Sequence, residues 1–317
     1  MFNPDEIIFA STSECNLHCK HCFVNRTKKQ LSIEAAKKFI DAYIYNISTF
    51  KLSQTPKIGF SGGEPFLYIE FITEITKHAV KNDLMFDQIM TNGDWWKDTD
   101  DLYKKLKLVF DAGYDGKIGL SWDSYHGQDS ERIKTFIKAV QEIFGKDSIN
   151  IQTVIYDSCK YKNKNELNAD TEEVYFPEIN AENYDFLEGI SVYTLPRTFT
   201  SNDKRAWQAK HWFKDDFCEG PGNIFYIHPD GNIAPCCGFA NENAELFIGN
   251  ISDSFEKIMQ NAQSNKMVKI CYEEGLAHYR KHGLKKILHA RKKKLCGKCS
   301  DICSFCDFLC KENLFAF

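Results

Sequence analysis

Proline and glycine are scarce in this sequence, with 8 and 18 of the 317 residues. Collagen-like and low-complexity chains contain far more of both, and disordered chains lack the aromatic side chains that make up 14% of this one. No apolar run approaches the roughly 18 residues that a membrane span requires. The N-terminus also lacks the basic and apolar regions of a secretory signal. We therefore expect a folded cytoplasmic protein that does not enter a membrane.

Cysteine, in contrast, is abundant, with 13 residues. A reducing compartment disfavours disulfides, so clustered cysteines there usually bind metal or carry redox chemistry. Cys159 and Cys271 are isolated, whereas the others form three groups: Cys15, Cys19 and Cys22; Cys218, Cys236 and Cys237; and Cys296, Cys299, Cys303, Cys306 and Cys310. The grouping predicts metal centres near both ends of the chain.

Positive charge is concentrated in residues 280–294, which contain eight Lys and Arg residues and no acid, although the whole chain has a net charge of -4. Such a segment is able to dock an acidic peptide or a nucleic acid. No aromatic side chains alternate with the basic ones beyond the first edge of the run, which argues against a nucleic-acid groove. A solvated helix face is the simpler interpretation.

The first two-thirds of the chain alternate between short β-rich runs and amphipathic helical patterns. Strands are predicted at 7–11, 57–61, 87–92, 117–122, 149–156 and 189–195, and helices at 31–47, 71–82, 100–113 and 130–145. This alternation predicts an α/β fold with a parallel sheet, either doubly wound or barrel-like, that binds ligands at the carboxyl ends of its strands.

The pattern changes after about residue 200. Residues 223–239 read as a β-hairpin whose turn is Pro-Asp-Gly-Asn, and residues 245–251 as another short strand, followed by helices and the cysteine-rich tail. We predict two domains, 1–205 and 206–317.

The first cysteine group, Cys15-x3-Cys19-x2-Cys22, directly follows the first predicted strand. Three thiolates on one loop are able to bind three irons of a [4Fe–4S] cube and leave the fourth iron open to another ligand. A zinc site completed by His18 or His21 is the alternative. The second strand ends in Gly62-Gly63-Glu64-Pro65, where glycines permit close approach of the backbone and Glu64 is able to accept hydrogen bonds from a ligand ammonium.

CxxxCxxC followed one βα unit later by GGEP resembles the radical SAM superfamily, which implies a partial (β/α)6 TIM-like barrel. By this resemblance Cys15, Cys19 and Cys22 bind the catalytic [4Fe–4S] cluster, and S-adenosylmethionine (SAM) chelates its open iron. Gly62, Gly63 and Glu64 then hold the amino end of SAM. The resemblance implies further SAM contacts from His21, beside the adenine, and from Asn92, Ser121 and Asp123.

The C-terminal cysteines are similar to the SPASM or twitch extension of that superfamily, a small hairpin-plus-helix domain. Cys218 and Cys236 match its opening, and Cys296, Cys299, Cys306 and Cys310 match its tail motif CxxCx5CxxxC with one extra residue. The family's further cysteines before Cys218 and after Cys310 are missing. This favours one auxiliary [4Fe–4S] cluster at Cys218, Cys236, Cys296 and Cys299. A second cluster at Cys303, Cys306 and Cys310, joined by Cys237 or Cys271, and a structural zinc knuckle are the alternatives.

The resemblance implies that a 5′-deoxyadenosyl radical abstracts hydrogen from a substrate, for which a ribosomally made peptide is the leading expectation. It also implies an external electron donor of the flavodoxin or ferredoxin type. Cys237 follows Cys236 on an extended segment and so points to the opposite face. Its thiol is a candidate hydrogen donor for epimerisation, as in peptide epimerases of the family. The alternative functions are an oxidative peptide maturase, a small-molecule dehydrogenase, and a non-enzymatic iron–sulfur or zinc protein. The alternative roles for Cys237 are a buried apolar residue and an extra cluster ligand.

Overall fold

The computed structural model describes residues 2–19, 21–123, 125–154, 185–195, 199–214, 217–218 and 222–315. Its first part contains six strands: β1 (Glu6–Ala10), β2 (Lys57–Ser61), β3 (Met85–Thr91), β4 (Lys117–Ser121), β5 (Ile149–Val154) and β6 (Ser191–Leu195). Four helices follow the first four strands: α1 (Ile33–Phe50), α2 (Ile69–Lys81), α3 (Thr99–Asp111) and α4 (Ser130–Phe144).

The six strands pair in parallel and in chain order from β1 to β6. Side chains alternate along each strand, so β1 presents Ile7 and Phe9 to the helices and Glu6, Ile8 and Ala10 to the opposite face. We call this opposite face the inner face. The predicted α/β fold with a parallel sheet is confirmed, and all carboxyl ends of the strands lie at one edge.

The predicted hairpin extends the same sheet. Strand β7 (Gly222–Ile227) pairs in parallel with β1, and β8 (Asn232–Cys236) and β9 (Gly249–Asn250) follow in antiparallel order. Phe225 of β7 packs edge-on against Phe39 of α1 at 5.3 Å between ring centroids. The hairpin is therefore joined to the first part of the chain by hydrogen bonds and by a shared core, and the boundary at residue 205 stays a prediction.

The C-terminal part is helical. Helices α5 (Phe255–Ser264), α6 (Lys266–Lys269), α7 (Leu276–Tyr279) and α8 (Lys285–Ala290) are interrupted by two π-helical turns at Ile270–Glu274 and Arg280–Leu284. The last described helix is α9 (Ile302–Lys311). These elements have a second core that contains Trp207, Phe213, Phe305 and Leu309.

The basic segment 280–294 is partly engaged by the protein itself. Arg280 lies 4.5 Å above the ring of Trp212, and Arg291 donates hydrogen bonds to the carbonyls of Glu312 and Asn313. Lys293 pairs with the Glu312 carboxylate at 2.7 Å. These contacts give several of its charges a role in fixing the C-terminal tail.

No helix within the described ranges has the length and apolar character required to cross a membrane. Cys159 and the end of the predicted strand 149–156 lie outside the described residues.

Glu6 makes the stability of the fold depend on pH. Burial, followed by the charge and hydrogen bond of Asp87, raises the pKa of Glu6 from 4.5 to about 8. Because the folded protein binds this proton more tightly than the unfolded chain, the stabilisation is complete below about pH 4.5 and is lost as pH rises through about 8. We expect the free energy of unfolding to fall by about 3 kcal/mol across this interval, allowing for partial exposure.

Urea unfolding at pH 5 and pH 8 tests this expectation. E6Q removes the titrating group and should flatten the difference, whereas E34Q at the exposed start of α1 should preserve it. An unchanged pH dependence in E6Q would assign the effect to other groups.

Candidate functional site

The loop that carries Cys15, Cys19 and Cys22 begins and ends beside the carboxyl end of β1. The N–H of Leu31 donates to the carbonyl of Ser11 at 2.9 Å, which closes the loop at its base. Within it, the N–H of Cys22 donates to the carbonyl of Cys19 at 3.2 Å. The three predicted cluster ligands are thus brought to the sheet edge where parallel α/β folds bind ligands.

The glycines after β2 pack directly against this loop. The N–H of Gly63 donates to the carbonyl of Thr12 at 2.7 Å, and the N–H of Glu64 donates to that of Glu14 at 2.8 Å. A Cβ atom at Gly62 would lie 2.4 Å from the Thr12 oxygen, and one at Gly63 would lie 2.2 Å from the Glu14 oxygen. Side chains at either position would therefore displace the segment that leads into Cys15.

The Glu64 side chain is fully buried and binds three protein donors. Its Oε1 accepts from the N–H of Phe66 at 3.1 Å and the hydroxyl of Thr91 at 2.9 Å, and its Oε2 accepts from the N–H of Asn92 at 2.8 Å. Burial raises the pKa of Glu64 to about 7 in spite of these hydrogen bonds. Glu64 therefore joins the end of β3 to the Gly-Gly turn; its contact with a SAM ammonium stays a prediction.

Asn92, just after β3, contacts a cluster ligand. Its Nδ2 lies 3.8 Å from the Cys15 sulfur and donates to the Asn16 side-chain oxygen at 3.0 Å. Gln128 holds Asn92 in place, because its Nε2 donates to the carbonyl of Asn92 at 2.5 Å and to that of Ser121 at 2.8 Å. Asn92 and Ser121, both predicted SAM contacts, are thus bridged by one side chain.

Replacing Asn92 by alanine is expected to lower the midpoint potential of a cluster bound by Cys15. Hydrogen bonds to ligand sulfur stabilise the more negative, reduced cluster. Loss of about 1 kcal/mol of that stabilisation corresponds to about 40 mV for a one-electron couple. An EPR-monitored redox titration measures the shift, and N16A, which removes the other partner of Asn92, should leave the potential unchanged. Equal potentials in wild type and N92A would contradict this role.

His21 and Asp123 meet at the same edge, together with His126. The His126 Nδ1 lies 2.9 Å from the Asp123 carboxylate, and the His21 and His126 rings are 4.8 Å apart between centroids. Burial alone would raise the pKa of Asp123, but the hydrogen bond and charge of His126 and the charge of His21 lower it below its ordinary value. Two residues predicted to contact SAM, one after β1 and one after β4, are therefore neighbours.

The described residues contain one close group of three potential zinc ligands. Ligands of tetrahedral zinc lie about 3.8 Å apart, because each Zn–S bond is about 2.3 Å long. Among the described residues, the one set of three potential ligand atoms within 4.8 Å of one another is that of His21, Asp123 and His126, and it contains no cysteine.

The C-terminal cysteines are divided by the fold. A small cavity is lined by Cys218, Cys236, Cys271, Cys303 and Cys306. Cys310 lies one helical turn after Cys306 on α9. Cys296 is exposed, and Cys299 packs in the second core with its sulfur donating to the Asp301 carbonyl at 3.0 Å. The structure therefore brings Cys218 and Cys236 together, but neither Cys296 nor Cys299 lines their cavity.

Cys237 is not among the residues that line that cavity. It packs with Ile8, Ala10 and Tyr226 on the inner face of the sheet, whereas Cys236 belongs to the second core. The Tyr226 hydroxyl lies 3.5 Å from that of Ser61, the residue before Gly62. Cys236 and Cys237 thus belong to different clusters, and Cys237 packs with Tyr226, which reaches the residue before the Gly-Gly turn.

Three residues of these sites were outside the favoured predictions. The His126 side chain is only 13% exposed and pairs with Asp123. Gln128 and Cys271 had no assigned role at the first or at the favoured auxiliary site. The Asp123–His126 spacing of three residues is a usable signal for His126, but nothing local to Cys271 indicates that it meets cysteines 35 residues later.

Comparisons with known proteins agree with this arrangement. A family model described as "4Fe-4S single cluster domain" matches residues 7–134, and the SPASM model, "Iron-sulfur cluster-binding domain", matches residues 218–303. YydG of Bacillus subtilis (strain 168), a protein named for peptide biosynthesis, is 26% identical over 83% of this chain and 79% of its own. A cysteine-type anaerobic sulfatase-maturating enzyme of Clostridium novyi (strain NT) is 24% identical over 78% of this chain and 80% of its own.

A solved structure shares the fold. "Native anSMEcpe with bound AdoMet and Cp18Cys peptide" superimposes with a TM-score of 0.54 at 15% identity, over 86% of this chain and 85% of the other. The two family matches begin at the strand before CxxxCxxC and at Cys218, where the motifs place the two iron–sulfur regions. The chain is a radical SAM enzyme that binds [4Fe–4S] clusters and carries a C-terminal SPASM domain.

Proposed function

We propose that this enzyme modifies a peptide by inverting one of its residues, with Cys237 as the hydrogen-atom donor. A peptide substrate is supported by YydG, which is named for peptide biosynthesis, and by the structure with the same fold that holds AdoMet and a peptide. The observation that carries the reaction type is the separation of Cys236 from Cys237, one in the cysteine-lined cavity and the other on the inner face.

SAM is proposed to lie at the edge formed by the cysteine loop and the ends of β2, β3 and β4. Contacts would come from the residues assembled there: His21, Gly62, Gly63, Glu64, Asn92, Ser121 and Asp123. When bound, the cluster and SAM supply the radical that removes a hydrogen atom from the substrate carbon. Cys15, Cys19 and Cys22 hold the cluster in this proposal.

Cys237 then returns a hydrogen atom to the carbon from the other side. The S–H bond breaks, a C–H bond forms, and the sulfur is left one electron and one proton short of the thiol. An external donor of the flavodoxin or ferredoxin type is proposed to supply that electron, and solvent to supply the proton. Burial raises the pKa of Cys237, so its sulfur keeps the hydrogen that this step requires.

Product analysis distinguishes this reaction from the oxidative alternatives. Short peptides encoded beside the gene are incubated anaerobically with reconstituted enzyme, SAM and reductant in ordinary water. Epimerisation gives a product of unchanged mass and altered chromatographic retention, together with 5′-deoxyadenosine. A loss of two hydrogens would indicate a crosslink or dehydrogenation and would overturn the epimerase proposal.

A further inference from the structure

Five thiols from three distant parts of the chain line one cavity. Cys218 precedes the hairpin, Cys236 ends β8, Cys271 lies in the first π-helical turn, and Cys303 and Cys306 lie on α9. The remaining lining side chains are mainly apolar. Thiolates in such surroundings are normally bound to metal or protonated, so a concentration of five requires an explanation.

Cys271 is fixed beside Cys218 and Cys306. Its carbonyl accepts the N–H of Cys218 at 3.2 Å, and its sulfur lies 4.0 Å from that of Cys306. The next residue anchors the turn to both strands of the hairpin: the Tyr272 hydroxyl donates to the carbonyl of Pro235 and accepts from the N–H of Asn223, both at 2.8 Å. Cys271 is thereby held against the hairpin that carries Cys236.

The backbone around Cys271 has an unusual form. Ile270–Glu274 is a five-residue π-helical turn, which ends at Gly275 with a φ of 88°. Such turns are rare in proteins and frequently occur at functional sites. Here the turn delivers a 4%-exposed thiol to the cavity.

We propose that Cys271 is a ligand of the auxiliary [4Fe–4S] cluster, together with Cys218, Cys236 and Cys306. The fold brings Cys271 to Cys218, where it takes the place of the ligand that the sequence lacks shortly before Cys218. Cys306 is the α9 ligand because its sulfur is the one in contact with Cys271 and because it belongs to the tail motif, which Cys303 does not. Cys296 and Cys299 lie outside this ligand set.

The test measures bound iron in a background that lacks the first cluster. The C15A/C19A/C22A variant, reconstituted anaerobically, should retain about four iron atoms per chain. Adding C271A removes one ligand, so the iron content should fall to about three or fewer and the EPR signal of the dithionite-reduced cube should be lost. Neither readout depends on a substrate, so a failure of the epimerase proposal leaves this result unaffected.

Two control variants in the same background make the assignment specific. C303A changes a thiol of the same cavity, and C296A/C299A removes the pair expected from sequence; both should keep about four iron atoms per chain. Full iron with an unchanged EPR spectrum in C271A, or loss of iron in C296A/C299A with C271A intact, would overturn the proposal. If circular dichroism shows that C271A does not fold, C271S preserves the size of the side chain, and unshifted g values in that variant would also overturn it.

Discussion

Alanine in place of Cys237 is expected to abolish formation of the epimer while SAM cleavage continues. The thiol is the proposed hydrogen donor, and no other cysteine is found with Ile8 and Tyr226 in the described inner-face cluster. Loss of an essential reacting group typically lowers product formation by at least about 100-fold. Chromatography of the peptide and of 5′-deoxyadenosine in the same reaction measures both quantities.

Serine at the same position separates chemistry from packing. C237S preserves the approximate size of the side chain, but an O–H bond is a much poorer hydrogen-atom donor than S–H. It should therefore fail like C237A, and both variants should retain the iron content of the wild type because Cys237 lies outside the proposed ligand set. An epimer yield equal to that of the wild type in either variant would exclude Cys237 as the donor.

Alanine in place of Gly63 is expected to destroy the first cluster site. Its Cβ would lie 2.2 Å from the Glu14 oxygen and 2.7 Å from the Glu14 carbonyl carbon, both of them backbone atoms. Relief of this clash must separate the end of β2 from the loop that leads into Cys15, with loss of the two hydrogen bonds that join them. We expect G63A to lower the free energy of unfolding by about 3 kcal/mol. Because the displaced loop carries the ligands of the first cluster, SAM cleavage should fall by at least about 100-fold.

A matched glycine tests whether this contact is the cause. Gly127 follows β4 near the same edge, has a φ of 67°, and has no atom within 4 Å of an added Cβ. G127A should therefore cost about 1 kcal/mol of backbone strain and leave the first cluster in place. Equal iron content and SAM cleavage in G63A and G127A would show that the Gly63–Glu14 contact is not critical.

Local patterns predicted the parallel part of the fold well, because each element follows from its own residues. Strand β2 spans the predicted residues 57–61, and α4 differs from its prediction by one residue, since its apolar residues repeat at helical spacing. Helix α9 was not predicted, although Asp301 as its N-cap and Phe305, Cys306 and Leu309 at helical spacing are signals for it. The pairing of β7 with β1 could not be predicted from local patterns, since it joins residues more than 200 positions apart.

The candidate site was likewise predictable from the sequence only in part. CxxxCxxC and GGEP lie on adjacent strands of a parallel sheet, so their meeting at one edge follows from the order of the elements. The order of the elements does not predict which residues make contact there. Gly62 and Gly63 contact the cysteine loop, whereas Glu64 binds the end of β3. Cys271 illustrates the limit, because only the packing of a π-helical turn against the hairpin brings it to Cys218.

Mass spectrometry of the peptide product formed in deuterated water tests Cys237 as hydrogen donor most directly. The thiol exchanges with solvent, so a hydrogen returned from Cys237 becomes a deuterium at the inverted carbon. The expected product carries one deuterium, located by fragmentation at a residue that chiral analysis identifies as the D-enantiomer. A product that has lost two hydrogens, or an inverted residue without deuterium, would contradict the assignment of Cys237.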